Sequence, residues 1–221
     1  MLLSVSLLIL LEIVFISATV FSEIRKKRKL YVRIFKSLSS ILMVAIPLIL
    51  VLSKGIETGW TCIVIIAALC LSAVGDVVLT LPRKYGFLPG VAFFFSAHIL
   101  YVLVFHRLSA ITYVDIVSSV VLVLVAVWFF RKIKDTLGRN TVPVVLYMII
   151  ISLMLSRAVG VSVNQEVSLL RSLFILIGAF LFYMSDIILA WNEFYKPLKY
   201  HPFSMFLYYT GQIIIGISCV Y

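Results

Sequence analysis

Eight long apolar stretches follow one another along the chain, separated by short polar segments. Each stretch has about 20 residues, which is enough for a helix to cross the hydrocarbon core of a bilayer. The apolar residues run continuously and do not alternate with polar ones, as the strands of a membrane β-barrel would. The pattern predicts an all-α bundle of eight transmembrane helices, roughly over residues 2–21, 37–53, 60–81, 86–106, 114–130, 141–157, 168–190 and 203–220.

The composition excludes the soluble and the disordered classes of protein. Of the 221 residues, 63% are hydrophobic and 13% are charged, and the mean hydropathy is +1.19. A soluble domain of this length cannot bury so much apolar surface, and a disordered chain has low hydrophobicity. We therefore expect one transmembrane domain over residues 1–221, in a bacterial inner or plasma membrane, or in the endoplasmic reticulum if the protein is eukaryotic.

The distribution of Lys and Arg residues predicts the orientation in the membrane. Fifteen of the 19 fall in the segments after the first, third, fifth and seventh spans, including the cluster at 25–29 and Lys36. Basic residues accumulate in cytoplasmic loops, so both termini are expected outside. This explains the net charge of +10 without a nucleic-acid partner. The cluster at 25–29 also suits contact with anionic membrane lipids. The four basic residues on the outside are then Lys54, Arg107, Arg157 and Arg171.

Two segments near the ends of the third and seventh spans are similar to each other. The sequences SAVGDVVLTL and FYMSDIILAW align Asp76 with Asp186, 110 residues apart. The same shift aligns His98 with Tyr208. We therefore expect two parallel four-helix repeats, related by an axis along the membrane normal, with both aspartates at one depth. The repeats would be residues 1–110 and 111–221.

Ionisable residues inside transmembrane spans are costly and point to function. Of the nine acidic residues, Glu12, Asp76 and Asp186 lie inside predicted spans. The two aspartates are expected in the cytoplasmic half of the membrane. The other six acidic residues are assigned to loops or span ends: Glu23, Glu57, Asp115, Asp135, Glu166 and Glu193.

Polar residues of the fourth and eighth spans are expected to meet the aspartates in one pocket open toward the inner leaflet. Gln212 is a candidate hydrogen-bond partner for a carboxylate, and Glu12 has no counterpart in the fifth span. The candidates for binding or orienting a substrate are His98, Tyr101, Tyr208, Tyr209, Gln212 and Glu12.

Two carboxylates in a dry site cannot both ionise easily, so we expect the pair to share one proton near neutral pH. One member is then an acid and the other an anion, which suits general acid–base catalysis. Because a coupled pair titrates as a unit, the sequence does not assign the two roles.

The order of several motifs resembles the YhhN-like lysoplasmalogenase family of eight-helix membrane proteins. GDVVL ends the third span, FLPGVAFFFSAHILY follows, SDIIL ends the seventh span and YYTGQ opens the eighth. The resemblance covers nearly the whole chain. The positions that match the family's polar pattern are Asp76, His98, Tyr101, Asp186 and Gln212.

The resemblance implies hydrolysis of the vinyl ether bond of a lysoplasmalogen, a lysophospholipid substrate. The products would be a fatty aldehyde and a glycerophospho-choline or glycerophospho-ethanolamine. A protonated aspartate would protonate carbon, and an ionised one would stabilise the oxocarbenium ion. The use of two carboxylates around an oxocarbenium-like state parallels glycoside hydrolysis. This chemistry requires no metal or organic cofactor.

Two other functions use buried aspartates as well. A proton-coupled transporter of small molecules or lipids fits parallel repeats with buried carboxylates. An intramembrane aspartyl protease fits less well, since Ala73 stands where its G-x-G-D motif needs glycine. Metal-dependent hydrolysis is not expected, because only one histidine lies at depth and the three cysteines lack metal-type spacing. The sequence gives no oligomeric state.

Overall fold

The computed structural model of the protein describes residues 2–25, 29–53, 59–199 and 201–221. These residues form α-helices joined by short turns and contain no β-strand, so the all-α prediction is confirmed. Short 3₁₀ turns at Gly138–Asn140, His201–Phe203 and Ser218–Val220 adjoin α6 and α8. The helices are α1 (Leu2–Ile24), α2 (Lys29–Ser53), α3 (Trp60–Leu79), α4 (Arg83–Leu108), α5 (Tyr113–Leu137), α6 (Thr141–Ser162), α7 (Leu169–Phe194) and α8 (Ser204–Ile217).

Seven helical stretches among the described residues are long and apolar enough to cross a membrane. One of them, Tyr113–Ser162, has 50 residues and contains both α5 and α6. Gly138 lies between the two helices with φ 52°, a left-handed conformation that glycine adopts at little steric cost. Ser118, near the start of α5, lies 3.0 Å from Ser156, near the end of α6, so the two helices form an antiparallel hairpin. The protein is an integral multi-pass membrane protein, and the count of eight crossings stays a prediction.

Several helices extend beyond the apolar stretches that predict them, and two of these extensions bear on the cavity. α2 begins at Lys29 and not near residue 37, and α1 continues to Ile24, past residue 21. Lys, Arg and Glu are good helix formers, so hydropathy marks only the apolar part of each helix. As a result Glu23 and Lys36, which the sequence assigns to a loop, lie on helices and line the central cavity.

Large apolar side chains are exposed along the outside of the bundle, above all on α5. Val117, Val120, Val121 and Leu124 each expose more than half of their surface. Exposure of so many apolar groups would be costly in water, but lipid tails are as apolar as these side chains. α5 packs mainly against α6 and is therefore a peripheral, lipid-facing helix.

Two glycines let α7 and α8 cross closely. A Cβ atom at Gly178 would lie 2.6 Å from the carbonyl oxygen of Gly211, and one at Gly211 would lie 2.7 Å from that of Gly178. Small residues allow such close approach between membrane helices. Both helices continue from this crossing into the cavity wall, where they carry Asp186 and Tyr208.

A buried ion pair joins three helices at one end of the bundle. Asp115, in the first turn of α5, pairs with Arg157 of α6, and their side chains are 5% and 4% exposed. Arg157 also donates to the carbonyl oxygens of Phe105 and Ser109 at the end of α4. The sequence treats both residues as charges at span ends, whereas the structure buries them, because each supplies the counter-charge of the other.

Replacing Arg157 by Met should lower the free energy of unfolding by about 3–5 kcal/mol, because removing one partner leaves a buried carboxylate without its cation. Denaturant unfolding of the purified protein in detergent measures the effect. Arg107→Met removes an exposed arginine and should change stability by less than about 0.5 kcal/mol. The double variant Asp115→Asn/Arg157→Met should lose less stability than Arg157→Met alone. Equal stability of Arg157→Met and Arg107→Met would contradict a structural role for the pair.

The placement of both termini outside stays a prediction that cysteine labelling can test. A Lys27→Cys variant in a cysteine-free background should react with an impermeant maleimide only when the reagent reaches the inner face. Glu166→Cys, between α6 and α7 at the other end of the bundle, is the control and should react from the outer face. Reaction of residue 27 from outside would reverse the orientation. Residues 26–28 of the basic cluster, Lys54 and Glu57 lie outside the described residues.

Candidate active site

A cavity of about 500 Å³ lies inside the bundle and contains both aspartates. Its volume is in the range of small-molecule sites, and its walls are largely apolar with a few polar groups, as is usual for such sites. Helices α2 to α8 contribute to the lining, and Glu23 of α1 lies at one end. The apolar wall includes Phe87, Val91, Phe129, Val144, Met148 and Ile151.

Asp76 of α3 is fully paired. Its Oδ1 atom lies 3.2 Å from Nζ of Lys36. Its Oδ2 atom accepts hydrogen bonds from the hydroxyls of Ser40, at 2.8 Å, and Tyr208, at 2.9 Å. The Asp76 side chain is only 3% exposed. Asp76 thus has one ammonium group and two hydroxyl groups as partners.

Asp186 of α7 lines the same cavity in a different environment. The hydroxyl of Tyr147, on α6, donates to its Oδ2 atom. In the described part of the chain, no ion pair includes Asp186. Asp186 therefore lacks the cation that Asp76 has, and the two carboxylates are not equivalent.

His98 of α4 is completely buried beside Tyr147, with the two ring centroids 5.2 Å apart. Its Nδ1 atom lies 2.6 Å from the carbonyl oxygen of Phe94. Because a carbonyl oxygen only accepts, Nδ1 carries the hydrogen and Nε2 of the neutral ring is an acceptor. Among the described residues Nε2 has no hydrogen-bond partner. His98 thus packs against the tyrosine that holds Asp186 and does not itself line the cavity.

Tyr101 and Gln212 form a separate polar network. The Tyr101 hydroxyl donates to Oε1 of Gln212, and Nε2 of Gln212 donates to the Ser72 hydroxyl at 3.0 Å. Gln212 thus bonds a tyrosine and a serine, and not a carboxylate as its sequence position suggests. All three residues are buried and none lines the cavity, so the network ties α3, α4 and α8 together behind it.

The remaining candidates differ in their relation to the cavity. Tyr208 and Tyr209 both line it, and the Tyr209 hydroxyl donates to the backbone carbonyl of Lys36 at 3.2 Å. Glu12 of α1 is 2% exposed and does not line the cavity. Neither of its carboxylate oxygens has a hydrogen-bond partner in the described residues.

Sequence reasoning missed Lys36 and Tyr147, the partners of the two aspartates. The expectation that the two aspartates share one proton stays a prediction, and the structure adds that Asp76 alone has a lysine beside it. One signal was available, since Lys36 and Tyr147 are 111 residues apart, nearly the separation of the aspartates. No group of three His, Cys, Asp or Glu side chains with the arrangement of metal ligands occurs in the described ranges.

Comparison with known proteins identifies the family. The model of the YhhN family matches residues 32–219. The chain is 33% identical over 157 residues to human lysoplasmalogenase TMEM86B, which covers 69% of this chain and 62% of that protein. It is 33% identical over 155 residues to the pig lysoplasmalogenase TMEM86B, with 68% and 61% covered. The chain thus spans about three fifths of the length of these curated relatives, and no solved structure matches it. The chain belongs to the YhhN family.

Proposed function

We propose that the protein is a membrane-embedded hydrolase that cleaves the vinyl ether bond of lysoplasmalogens to a fatty aldehyde and a glycerophospho-choline or glycerophospho-ethanolamine. The observation that carries the proposal is an apolar cavity with two carboxylates in unequal environments, Asp76 beside a lysine and Asp186 beside a tyrosine. The similarity to proteins named lysoplasmalogenase supports the choice of substrate.

The packing of the helices supports two parallel repeats. α2 packs against α3 and α8, and α6 packs correspondingly against α7 and α4. α1 packs on α2 as α5 does on α6, and α3 on α4 as α7 on α8. This is the pattern expected if helices α1–α4 correspond to α5–α8 around a two-fold axis.

Corresponding positions in the two halves hold different side chains around the two aspartates. Asp76 has Lys36 and Tyr208 as partners. Around Asp186, His98 stands at the position that matches Tyr208, and Tyr147 stands one position after Leu146, the match of Lys36. Tyr147 bonds the carboxylate, and His98 packs on that tyrosine. A duplicated site has in this way become asymmetric, so that the two carboxylates can take different roles.

The asymmetry supports different roles for the two aspartates, and we infer which is the acid and which the anion from their partners. Asp186, which has no cation beside it, is the protonated member and transfers its proton to the vinyl carbon distant from the ether oxygen. The resulting oxocarbenium ion is stabilised by the negative charge of Asp76. Water then adds to the cation while the Asp186 carboxylate takes up the proton, which restores the acid. The hemiacetal collapses to the aldehyde and the free glycerol hydroxyl, so that one water is consumed per turnover.

Aldehyde release by the purified protein in detergent tests the proposal. A lysoplasmalogen should yield one fatty aldehyde per lysolipid consumed, and the matching lysolipid with a saturated ether should yield none. Transport can be measured only across a sealed membrane, so a transporter would release no aldehyde in detergent. Absence of aldehyde from folded protein, with substrate present above its critical micelle concentration, would contradict the proposal.

Replacing His98 by Ala should lower the turnover rate less than replacing either aspartate. His98 contacts Tyr147 and not the cavity, so its loss disturbs the orientation of Asp186 but leaves both carboxylates in place. The same aldehyde assay on matched preparations measures the effect. A loss as large as that of the aspartate variants would mean that His98 takes part in proton transfer.

A further inference from the structure

The cavity carries a ring of charged residues at one end. We call this end of the cavity the mouth. It lies where α1, α3 and α7 end and α2, α4 and α8 begin. Arg83 forms an ion pair there with Glu193, at 2.7 Å, and Nε2 of His201 lies 3.9 Å from a carboxylate oxygen of Glu23. The side chains of all four residues are at least a quarter exposed, and together with Lys36 they line the cavity. Charges of both signs therefore surround the entrance to an otherwise apolar cavity.

The cations of the mouth suit a phosphodiester group. The Nη1 atom of Arg83 pairs with the carboxylate of Glu193. Because a guanidinium has five N–H donors, most of them stay available to a phosphate. Lys36 lies deeper, between the mouth and Asp76, with its side chain 16% exposed. A phosphate bound between Arg83 and Lys36 would lie on the same side of the cavity as Asp76.

The distance between the mouth and the aspartates suits a glycerophospholipid. Glu193 follows Asp186 by seven residues on α7, which is roughly 10 Å along the helix axis. An extended glycerol phosphate with its amine spans a distance of this order. The headgroup can therefore lie at the mouth while the bond at the other end of the glycerol lies beside the aspartates.

The anions of the mouth distinguish two kinds of amine. A primary ammonium has three N–H donors and can hydrogen-bond a carboxylate, as Glu23 and Glu193 would allow. A quaternary ammonium has no N–H and is bound best over aromatic faces. Two aromatic rings line the cavity beside these charges. Phe87 already has the guanidinium of Arg83 over it, 5.7 Å from the ring centroid, and Phe194 packs edge-on against Phe87 at 5.9 Å. Among the described residues, the mouth thus offers carboxylates to an ammonium group, and both of these rings already have partners.

We propose that this mouth is a headgroup site that selects ethanolamine over choline, with Arg83 and Lys36 binding the phosphate and Glu23 and Glu193 binding the primary ammonium. The inference deepens the proposed function and rests on it for the lipid class. It adds the specificity of the site for the headgroup.

Binding of lysolipids that cannot be hydrolysed tests the selectivity separately from catalysis. The probes are saturated 1-O-alkyl lysophosphatidylethanolamine and the choline analogue with the same chain, titrated into the purified protein in detergent. The ethanolamine probe should bind roughly 5- to 10-fold tighter, since a half-buried charge-assisted hydrogen bond is stronger than an exposed ion pair. Equal affinities, a preference for choline, or no binding of either probe would overturn the inference.

Three variants test which side chains bind the headgroup. Glu23→Gln/Glu193→Gln should weaken binding of the ethanolamine probe and bring the ratio close to one. Arg83→Gln should weaken both probes alike, because both contain the phosphate. Glu166→Gln, an exposed glutamate at the opposite end of the bundle, is the matched control and should change neither affinity.

The outcomes separate the two proposals. An ethanolamine preference that survives in the Glu23→Gln/Glu193→Gln variant would overturn the assigned headgroup site. A preference that depends on these residues in a protein that releases no aldehyde would support the headgroup site and contradict the proposed hydrolysis. Equal rates of aldehyde release from ethanolamine and choline lysolipids, with equal affinities, would support the proposed hydrolysis and overturn the proposed selectivity.

Discussion

Replacing Asp186 by Asn should lower aldehyde release from a lysoplasmalogen by about 10²- to 10⁴-fold, the range that general acid–base catalysis contributes. Asn keeps the size of the side chain and accepts the hydrogen bond from Tyr147, but it has no proton to transfer to carbon. The loss should appear in kcat and not in KM, because the proton transfer takes place in the transition state. Aldehyde release at saturating substrate measures it.

The matched control is Asp135→Asn, which changes an exposed aspartate at the end of α5. It should leave kcat and KM unchanged. Tyr147→Phe should have an intermediate effect, since it removes the hydroxyl that orients Asp186 and keeps the carboxyl group itself. If Asp186→Asn retains near-normal turnover in a monodisperse preparation, Asp186 is not the acid and the mechanism is wrong.

Replacing Asp76 by Asn should cause a loss of comparable size for a different reason. Asn can still accept hydrogen bonds from Ser40 and Tyr208, but it removes the negative charge that faces the oxocarbenium ion. It also leaves the ammonium of Lys36 without its counter-charge beside the developing cation. Fixed charges in a site of low dielectric constant have large effects on such transition states. We therefore expect kcat to fall by at least about 10²-fold.

The double variant Asp76→Asn/Lys36→Met separates the two effects. If the Asp76 carboxylate stabilises the cation, removing Lys36 as well should restore little of the activity. If Asp76 serves only to neutralise Lys36, the double variant should recover most of the lost kcat at saturating substrate, while loss of the phosphate contact of Lys36 raises KM. Recovery to near the rate of the unmodified protein would thus contradict the role that we assign to Asp76.

The sequence of single segments is enough to predict that this is a membrane protein and to locate its two buried aspartates. Long apolar stretches can satisfy their backbone groups in lipid only as helices or closed barrels, and their lack of alternation decides for helices. A carboxylate inside such a stretch is too costly to be there by accident. These are properties of single segments, so Asp76 and Asp186 could be found in GDVVL and SDIIL without knowledge of the packing.

The environment of each carboxylate depends on residues far away in the chain. Lys36 looks like one more basic residue of an inside loop, because the apolar stretch after it begins at residue 37 and hydropathy does not reveal where a helix starts. Tyr147 looks like one aromatic residue among many in an apolar span. Only the packing of α2 on α3 and of α6 on α7 places these side chains against the aspartates.

The same limit explains the other differences from expectation. Gln212 lies in the span that carries Tyr208, but its side chain turns to Tyr101 and Ser72. Asp115 and Arg157 lie near span ends and nevertheless form a buried pair. Periodicity and hydropathy report how a residue relates to its own helix, so they suffice to predict the helices, their membrane location and the candidate carboxylates. Which cation, hydroxyl or amide meets each polar group depends on how the helices pack, because hydrogen bonds and ion pairs act over a few ångströms between different helices.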